Sequence, residues 1–299
     1  MHFTLRQLQV FVAIAQHQNV SRAADALAMS QSACSSALKD LEQQYDAPLF
    51  ERIGKRLQTN ELGRRLRPKA QALLDQAAEL ELALVQHKDV AQLKLGATLT
   101  IGNYLAVELI RRFMTEYQGS ATLKVANTHD VVAAVLNFDL DLGLIEGEIH
   151  HPELDVIPWQ PDRLVCFCHP GHPLAQKRSL SDADLKRASW ILRESGSGTR
   201  QTFDRALHGL LPELNILLEL QHTEAIKRAV KGGLGISCLS QISLEEAFTH
   251  GSLVPLKVPQ RDFSRMLYVV VHKQKYRSTG IQQWLELCGV SPKLNMHKS

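Results

Sequence analysis

Residues 21–41, SRAADALAMSQSACSSALKDL, read as two short helices joined by a tight turn. The first runs from about Ser21 to Ala28. Ser21 is read as its N-cap, and Ala23, Ala24, Ala26 and Ala28 allow close helix approach. The turn falls at Met29-Ser30. The second helix, about Gln31 to Tyr45, has two faces. Cys34, Ala37, Leu38, Leu41 and Tyr45 follow the helical period and form an apolar stripe. Ser32, Ser35, Ser36, Lys39 and Gln43 fall opposite, with no acid among these five. Small hydroxyls, an amide and a cation suit base edges and phosphates in a major groove. A solvated helix face would look similar in isolation. A small-residue helix one turn earlier makes this a helix-turn-helix arrangement.

Working outward, Thr4 and Gln7 form a capping box that opens an earlier helix, with Leu5, Leu8, Phe11, Val12 and Ala15 on its buried face. Ala47-Pro48 ends the second helix of the motif. Arg52 to Thr59 then reads as a hairpin around Gly54-Lys55. From Leu49 to Lys69 there are seven basic residues against two acids, placed where a DNA-binding wing would lie. Gln31, Ser32, Ser35 and Ser36 are expected at base edges, and Lys39, Arg52, Lys55 and Arg56 at phosphates of a duplex operator.

Asn60 caps a long helix running to about Lys88. Leu66, Ala70, Leu73, Ala77, Leu80 and Leu84 recur at spacings of four and three, the signature of a coiled-coil seam. Pro68 is expected to kink or loosen its first turns. The seam could pack on its own domain. Dimerisation is the preferred reading, because nothing earlier offers enough apolar surface to cover it. The charged stretch His87 to Gln92 reads as a linker.

From Leu93 onward strands alternate with helices, which argues for a parallel α/β sheet. Around Pro161-Asp162 the chain enters a second α/β unit. In this half the stretch 192–200, LRESGSGTR, runs from a strand through a glycine-rich turn into a helix. Glycines let backbone N–H groups approach an anion, and a helix N-terminus adds partial positive charge. Ser195, Ser197, Gly198 and Thr199 are the candidate contacts. A plain turn capped by serines is the alternative. Thr98, Thr100 and Asn103 stand at a corresponding turn in the first unit, at the carboxyl end of a strand, where ligands of open α/β sheets bind. Glu146 and Thr223 could line the same cleft. Such a site favours a small oxyanion or carboxylate: sulfite, sulfate or a short-chain acid.

Other classes are disfavoured. With 299 residues, 44% hydrophobic and 22% charged, the chain has the composition of a soluble multi-domain protein. Its net charge of +3 only mildly favours anionic partners. No run of about 18 apolar residues suggests a membrane span, and Met1–Arg6 has no secretory pattern. Five scattered cysteines (Cys34, Cys166, Cys168, Cys238, Cys288) read as reduced thiols of a cytoplasmic protein. Cys166, Cys168, His169 and His172 invite a metal reading, but the cysteines share one strand face and the histidines sit in a proline-glycine loop, so no metal is expected. Walker, nucleophile-elbow, HExxH and dinucleotide patterns are missing, so neither cofactor nor enzymatic activity is expected.

The chain resembles the LysR-type transcriptional regulators. The matching residues are Leu5-Arg6-Gln7-Leu8 with Phe11, Ser21-Arg22-Ala23-Ala24 with Leu27, Ser30-Gln31 with Ala33 and Ser35, and Leu41-Glu42. Pro48-Leu49-Phe50-Glu51-Arg52 and Asn60 with Gly63 extend the match. Ser32, Cys34 and Ser36 depart from the family's common Pro, Val and Arg. Thr100–Tyr104, Ile145–Gly147, Trp190–Arg200, Glu224–Lys227 and Gly235–Ser240 are similar to the family's YeiE-type group, which implies sulfite as effector. The resemblance implies an all-α winged helix-turn-helix with a long linker helix, followed by a two-lobed α/β domain similar to periplasmic binding proteins. The boundaries it implies are 1–59 for DNA binding, 60–91 for the linker and dimerisation helix, and 92–299 for effector binding. The last divides into lobe I (92–161 and 265–299) and lobe II (162–264). It implies a homodimer or homotetramer on double-stranded operator DNA. The alternative is a small-anion binding protein or enzyme using the same interlobe cleft.

Overall fold

A computed structural model describes residues 2–53, 56–86 and 91–290. The wing tip Gly54-Lys55, the linker positions 87–90 and the tail beyond Val290 lie outside the described residues, and the expectations for them with them.

The first unit opens with Leu5–His17 (α1), Val20–Ala26 (α2) and Gln31–Tyr45 (α3). The Thr4–Gln7 capping box is present. The N-cap of α2 is Asn19, not Ser21: its side chain accepts from Arg22 N–H at 3.0 Å. Asparagine caps at least as well as serine, so the helix starts earlier than expected. Cys34, Leu38 and Leu41 are buried, whereas Tyr45 at the end of the expected stripe is 48% exposed. Phe50–Ile53 (β1) and Arg56–Thr59 (β2) pair antiparallel as the wing. Glu61–Gln86 (α4) starts at Asn60, whose Oδ1 accepts from Gly63 N–H at 2.8 Å. It runs through Pro68 without a break. Leu62, Leu66, Ala70 and Leu74 join Phe11 and Leu49 in one apolar cluster, which offsets the backbone bond that proline removes. The first part of the expected seam therefore packs on its own domain. Leu73, Leu80 and Leu84 are 43%, 62% and 67% exposed.

The second unit contains Gln92–Thr98 (β3), Leu99–Tyr104 (α5), Ala106–Glu116 (α6), Ser120–Ala126 (β4), Thr128–Leu136 (α7), Leu142–Glu146 (β5) and Leu154–Cys168 (β6). Asp182–Arg187 (α8), Ser189–Arg193 (β7), Gly198–Ala206 (α9), Asn215–Leu220 (β8), Thr223–Lys231 (α10) and Ser237–Ser240 (β9) follow. Glu245–Thr249 (α11), Val254–Leu256 (β10), Ser264–His272 (β11) and Thr279–Leu287 (α12) complete the order. Contacts divide the chain into Met1–Ala91 with Lys273–Gln282, and Gln92–His272 with Gln283–Ser299.

The sheet runs β10-β6-β11-β5-β3-β4, with β9 also on β6, and β7 pairs with β8. Among the described strands β3 pairs parallel with β4 and β5, the three strands from which a parallel sheet is expected, and β7 pairs parallel with β8. The sheet is nonetheless mixed, because β11 enters it antiparallel to both β5 and β6. β6 crosses from one lobe to the other as a single strand, antiparallel to β11 in its first part and to β9 and β10 in its second. Pro158 and Pro161 do not end it. Neither donates to a ladder, and a register shift between Leu267 and Tyr268 of β11 falls opposite this stretch. Each lobe has its own core. One contains Val131, Val135, Ile145 and Val270, and the other Trp190, Leu192, Phe203 and Ile236.

Candidate functional sites for DNA and effector

On α3, Gln31, Ser32, Ser35, Ser36, Lys39 and Gln43 are all exposed, opposite the buried Cys34, Leu38 and Leu41. Burying that stripe, at roughly 1.5–3 kcal/mol for each large side chain, fixes the helix rotation and so the polar face. Ser30 caps the helix, accepting from Ala33 N–H at 3.2 Å, and its hydroxyl lies 3.1 Å from that of Ser32. Arg52 and Arg56 are exposed on the two wing strands. The described residues of the first unit therefore present one polar helix face and a hairpin with two exposed arginines.

The cleft is organised around Glu146, at the carboxyl end of β5 and 1% exposed. Its Oε1 accepts from Thr98 Oγ1 at 2.9 Å and from Thr100 N–H at 2.8 Å. Its Oε2 accepts from Thr199 Oγ1 at 2.9 Å and Arg265 Nη1 at 2.9 Å. Arg265 Nε donates to Asp162 Oδ2 at 2.7 Å, and Ser240 Oγ donates to Asp162 Oδ1 at 2.8 Å. Arg265 Nη2 also lies 2.7 Å from Asp162 Oδ2, off the direction of a good hydrogen bond. Burial alone would raise the Glu146 carboxyl. The charges of Arg265 and Arg193 and the bonds from Thr100 and Thr98 outweigh it and hold it down to about 2. Backbone completes the junction. Gly147 adopts φ +86°, and a Cβ on Gly198 would overlap the Glu146 carbonyl, so α9 begins directly against the end of β5.

Thr98, Thr100 and Thr199 do converge from the two lobes, but their donors serve Glu146, an internal carboxylate, in this arrangement. Thr98 precedes α5 yet makes no side-chain cap. Asn103 and Ser195 are exposed, and Ser197 caps α9 by accepting from Thr199 N–H at 3.2 Å. The flanking arginines are engaged as well. Arg193 pairs with Glu194 at 2.7 and 2.9 Å, and Arg200 with Asp204 and Glu219 at 2.9 and 2.8 Å.

Thr223 differs. It is 2% exposed, opens α10, and its Oγ1 has no hydrogen-bond partner among the described residues. His222 before it makes no side-chain cap. The next residue, Glu224, accepts from Tyr104 Oη of the first lobe at 2.7 Å, so this helix start faces the cleft. Reading the sequence placed Tyr104 at the first-lobe turn but gave no site role to Arg265, Asp162 or Lys227, nor to the exposed His129, which stands across from Gly196. The available signal was Arg265 inside the apolar run 263–272, since a lone charge there is buried only when paired.

His169 and His172 serve the loop itself, accepting from Gly171 N–H at 3.0 Å and Leu174 N–H at 3.2 Å. Among the described residues no group of three or more His, Cys, Asp or Glu is placed to hold a metal ion. No helix among them is long and apolar enough to cross a membrane.

Residues 5–64 match the family model of the bacterial regulatory helix-turn-helix protein, lysR family, and residues 86–290 match the LysR substrate binding domain. YeiE of Escherichia coli K12, described as an uncharacterised HTH-type transcriptional regulator, is 44% identical over 96% of this chain and 98% of its own. The regulatory domain of CcmR from Synechocystis PCC6803, solved in complex with 2-PG, is 30% identical over 68% of this chain and 99% of its own, with a TM-score of 0.62. A full-length OxyR variant from Pseudomonas aeruginosa shares the fold over 96% of this chain and 95% of its own, with a TM-score of 0.71 at 23% identity. These relatives are regulators, which sets aside the reading of the cleft as an enzyme's. These matches over both the helix-turn-helix and the two-lobed α/β domain show that the chain is a DNA-binding transcriptional regulator of the LysR family.

Proposed function

We propose that this regulator acts in the cytoplasm and senses a small oxyanion between its two α/β lobes. The observation that carries this reading is the buried hydroxyl of Thr223, without a hydrogen-bond partner among the described residues, at the start of α10, a helix end without a side-chain cap beside the Tyr104–Glu224 bond between the lobes. A helix N-terminus with a free buried donor favours an anion. The turn Ser195–Gly198 and the start of α9 supply further neutral donors nearby. Glu146, Asp162 and Glu194 stand against Arg193 and Arg265, so charged side chains give the cleft no positive excess. That balance favours a monoanion carrying a proton, such as hydrogensulfite, or a short carboxylate, over sulfate. The complex of the related CcmR domain with 2-PG supports small-molecule sensing by this fold.

The test is a thermal-shift panel of oxyanions and short carboxylates on wild type, Ser197→Ala, Thr199→Ala and Thr223→Val. A sulfite-like anion should raise the wild-type melting temperature, with the shift reduced most in Thr223→Val. An anion that stabilises all four proteins equally sits elsewhere, and a response confined to aromatic or nucleotide ligands sinks the oxyanion reading.

The DNA-contacting set is Gln31, Ser32, Ser35 and Ser36 on base edges, with Lys39, Arg52, Lys55 and Arg56 on phosphates. The division 1–59, 60–91 and 92–299 serves binding, pairing and sensing. Two copies pair through the exposed leucines of α4. Further association through the α/β lobes is supported by exposed apolar residues on α6 (Val107, Met114) and on the edge strand β8 (Ile216, Leu217, Leu218).

A further inference from the structure

We infer that Tyr104, Glu224 and Lys227 form a latch between the two lobes, and that it biases them toward the arrangement in which Glu146 holds the cleft donors. Tyr104 is the last residue of α5 and belongs to the first lobe, whereas Glu224 and Lys227 lie in the first turns of α10 in the second. Tyr104 Oη donates to Glu224 Oε1 at 2.7 Å. Lys227 Nζ donates to the same oxygen at 2.7 Å, to Tyr104 Oη at 3.3 Å and to the Ser243 carbonyl at 3.0 Å. The ammonium also lies 5.7 Å from the centroid of the Tyr104 ring. Each partner is thus held by more than one contact, and Ser243 anchors the lysine within the second lobe.

The placement matters more than the bonds. α5 carries the Thr100 N–H that binds Glu146, and α10 carries Thr223. The latch therefore ties together the two helices whose groups face the cleft. Elsewhere the lobes meet at the β5–α9 junction, through Glu146 with Thr199, through Gly147 and Gly198, and through the reciprocal bonds between the Glu148 backbone and the Gln201 amide, both at 3.1 Å. The Glu148 carboxylate also pairs with Arg205 at 2.6 Å. α5 packs as well on residues 241–243 of the second lobe, beside the Ser243 carbonyl that holds Lys227. Tyr104–Glu224 joins α5 to α10, so its loss loosens these two helices against each other while the junction holds. An effector that needs the donors now engaged by Glu146 would bind more readily once they part. That consequence rests on the oxyanion reading, but the latch itself does not.

Native-state hydrogen exchange of the full chain, with no anion added, tests the latch. The variants are Tyr104→Phe, which keeps the ring, and Glu224→Leu, which removes the acceptor on the other lobe. Losing one hydrogen bond of ordinary strength should speed opening about fivefold. Exchange of the amides at Thr100–Tyr104 should rise by that factor in both variants, with the β3 amides unchanged. The decisive variant is Glu224→Leu, because it lies outside the lobe that is read. If Thr100–Tyr104 exchange at the wild-type rate in Glu224→Leu, the latch is refuted, even where Tyr104→Phe loosens its own helix. An unresponsive anion panel would overturn the oxyanion reading and leave this result intact.

Discussion

Glu146 combines full burial with three neutral donors and a guanidinium. Folding lowers its carboxyl from the ordinary 4.5 to about 2. A depressed folded value contributes stability that is present above about pH 4.5 and is lost as the pH falls through 2. That contribution is on the order of 3 kcal/mol. Glu146→Gln leaves Arg265 with Asp162 alone, so a cost of about 3–5 kcal/mol at neutral pH is expected. It should also flatten the acid-side decline between pH 4.5 and 2. Urea unfolding followed by tryptophan fluorescence reads this directly, since Trp159, Trp190 and Trp284 all lie in the second unit. A decline as steep in the variant as in wild type would assign the acid sensitivity to other groups. Reading the sequence placed Glu146 in the cleft without showing what it binds there. Its partner Arg265 is 119 residues away in the chain, and no local spacing connects the two.

At the scale of elements, α3 and α4 owe their outward faces to what they bury. On α3 the buried stripe leaves Lys39 exposed, and the wing leaves Arg56 exposed. Lys39→Ala and Arg56→Ala should each weaken all duplex sequences alike and lower the slope of log affinity against log salt by about one unit. A slope unchanged in both variants would remove these residues from the phosphate contacts. On α4, Leu80 and Leu84 are mostly exposed, so Leu80→Glu with Leu84→Glu should leave the fold intact. In a paired seam the two acids would be buried without partners, and pairing should fail. Light scattering of the full chain is the measurement, and an unchanged mass would take the pairing off this face. The period of α4 was legible, but its division of labour was not. Leu66 and Ala70 follow the same spacing as Leu80 and Leu84, yet they face their own domain, because α1 and the residue after Pro48 supply Phe11 and Leu49 there.

For the whole molecule, sensing and DNA binding are linked only if the anion binds two arrangements unequally. The linkage is reciprocal: an anion that changes operator affinity by a given factor must have its own affinity changed by operator to the same degree. A coupling of about 1–3 kcal/mol, or roughly 5- to 150-fold, is expected. Operator titrations with and without anion, paired with anion titrations with and without operator, should close this cycle. An anion that raises the melting temperature but leaves operator affinity unchanged would separate ligand binding from regulation.

The sequence by itself determined the helix-turn-helix, the wing, the start of α4 and the turns at both sides of the cleft. These depend on caps, breakers and periodicities within a few residues of one another, and Thr4, Ser30, Asn60 and Ser197 all act locally. Tertiary structure alone decided that the two crossing strands, β6 and β11, pair antiparallel with each other. Pairing register is set by partners roughly a hundred residues apart, which no local spacing reports. It alone decided that Glu146 consumes the donors expected for an effector, and that Thr223 is left without a partner among the described residues. Satisfaction of a buried polar group depends on everything that surrounds it in space, and neighbours in sequence supply only part of that.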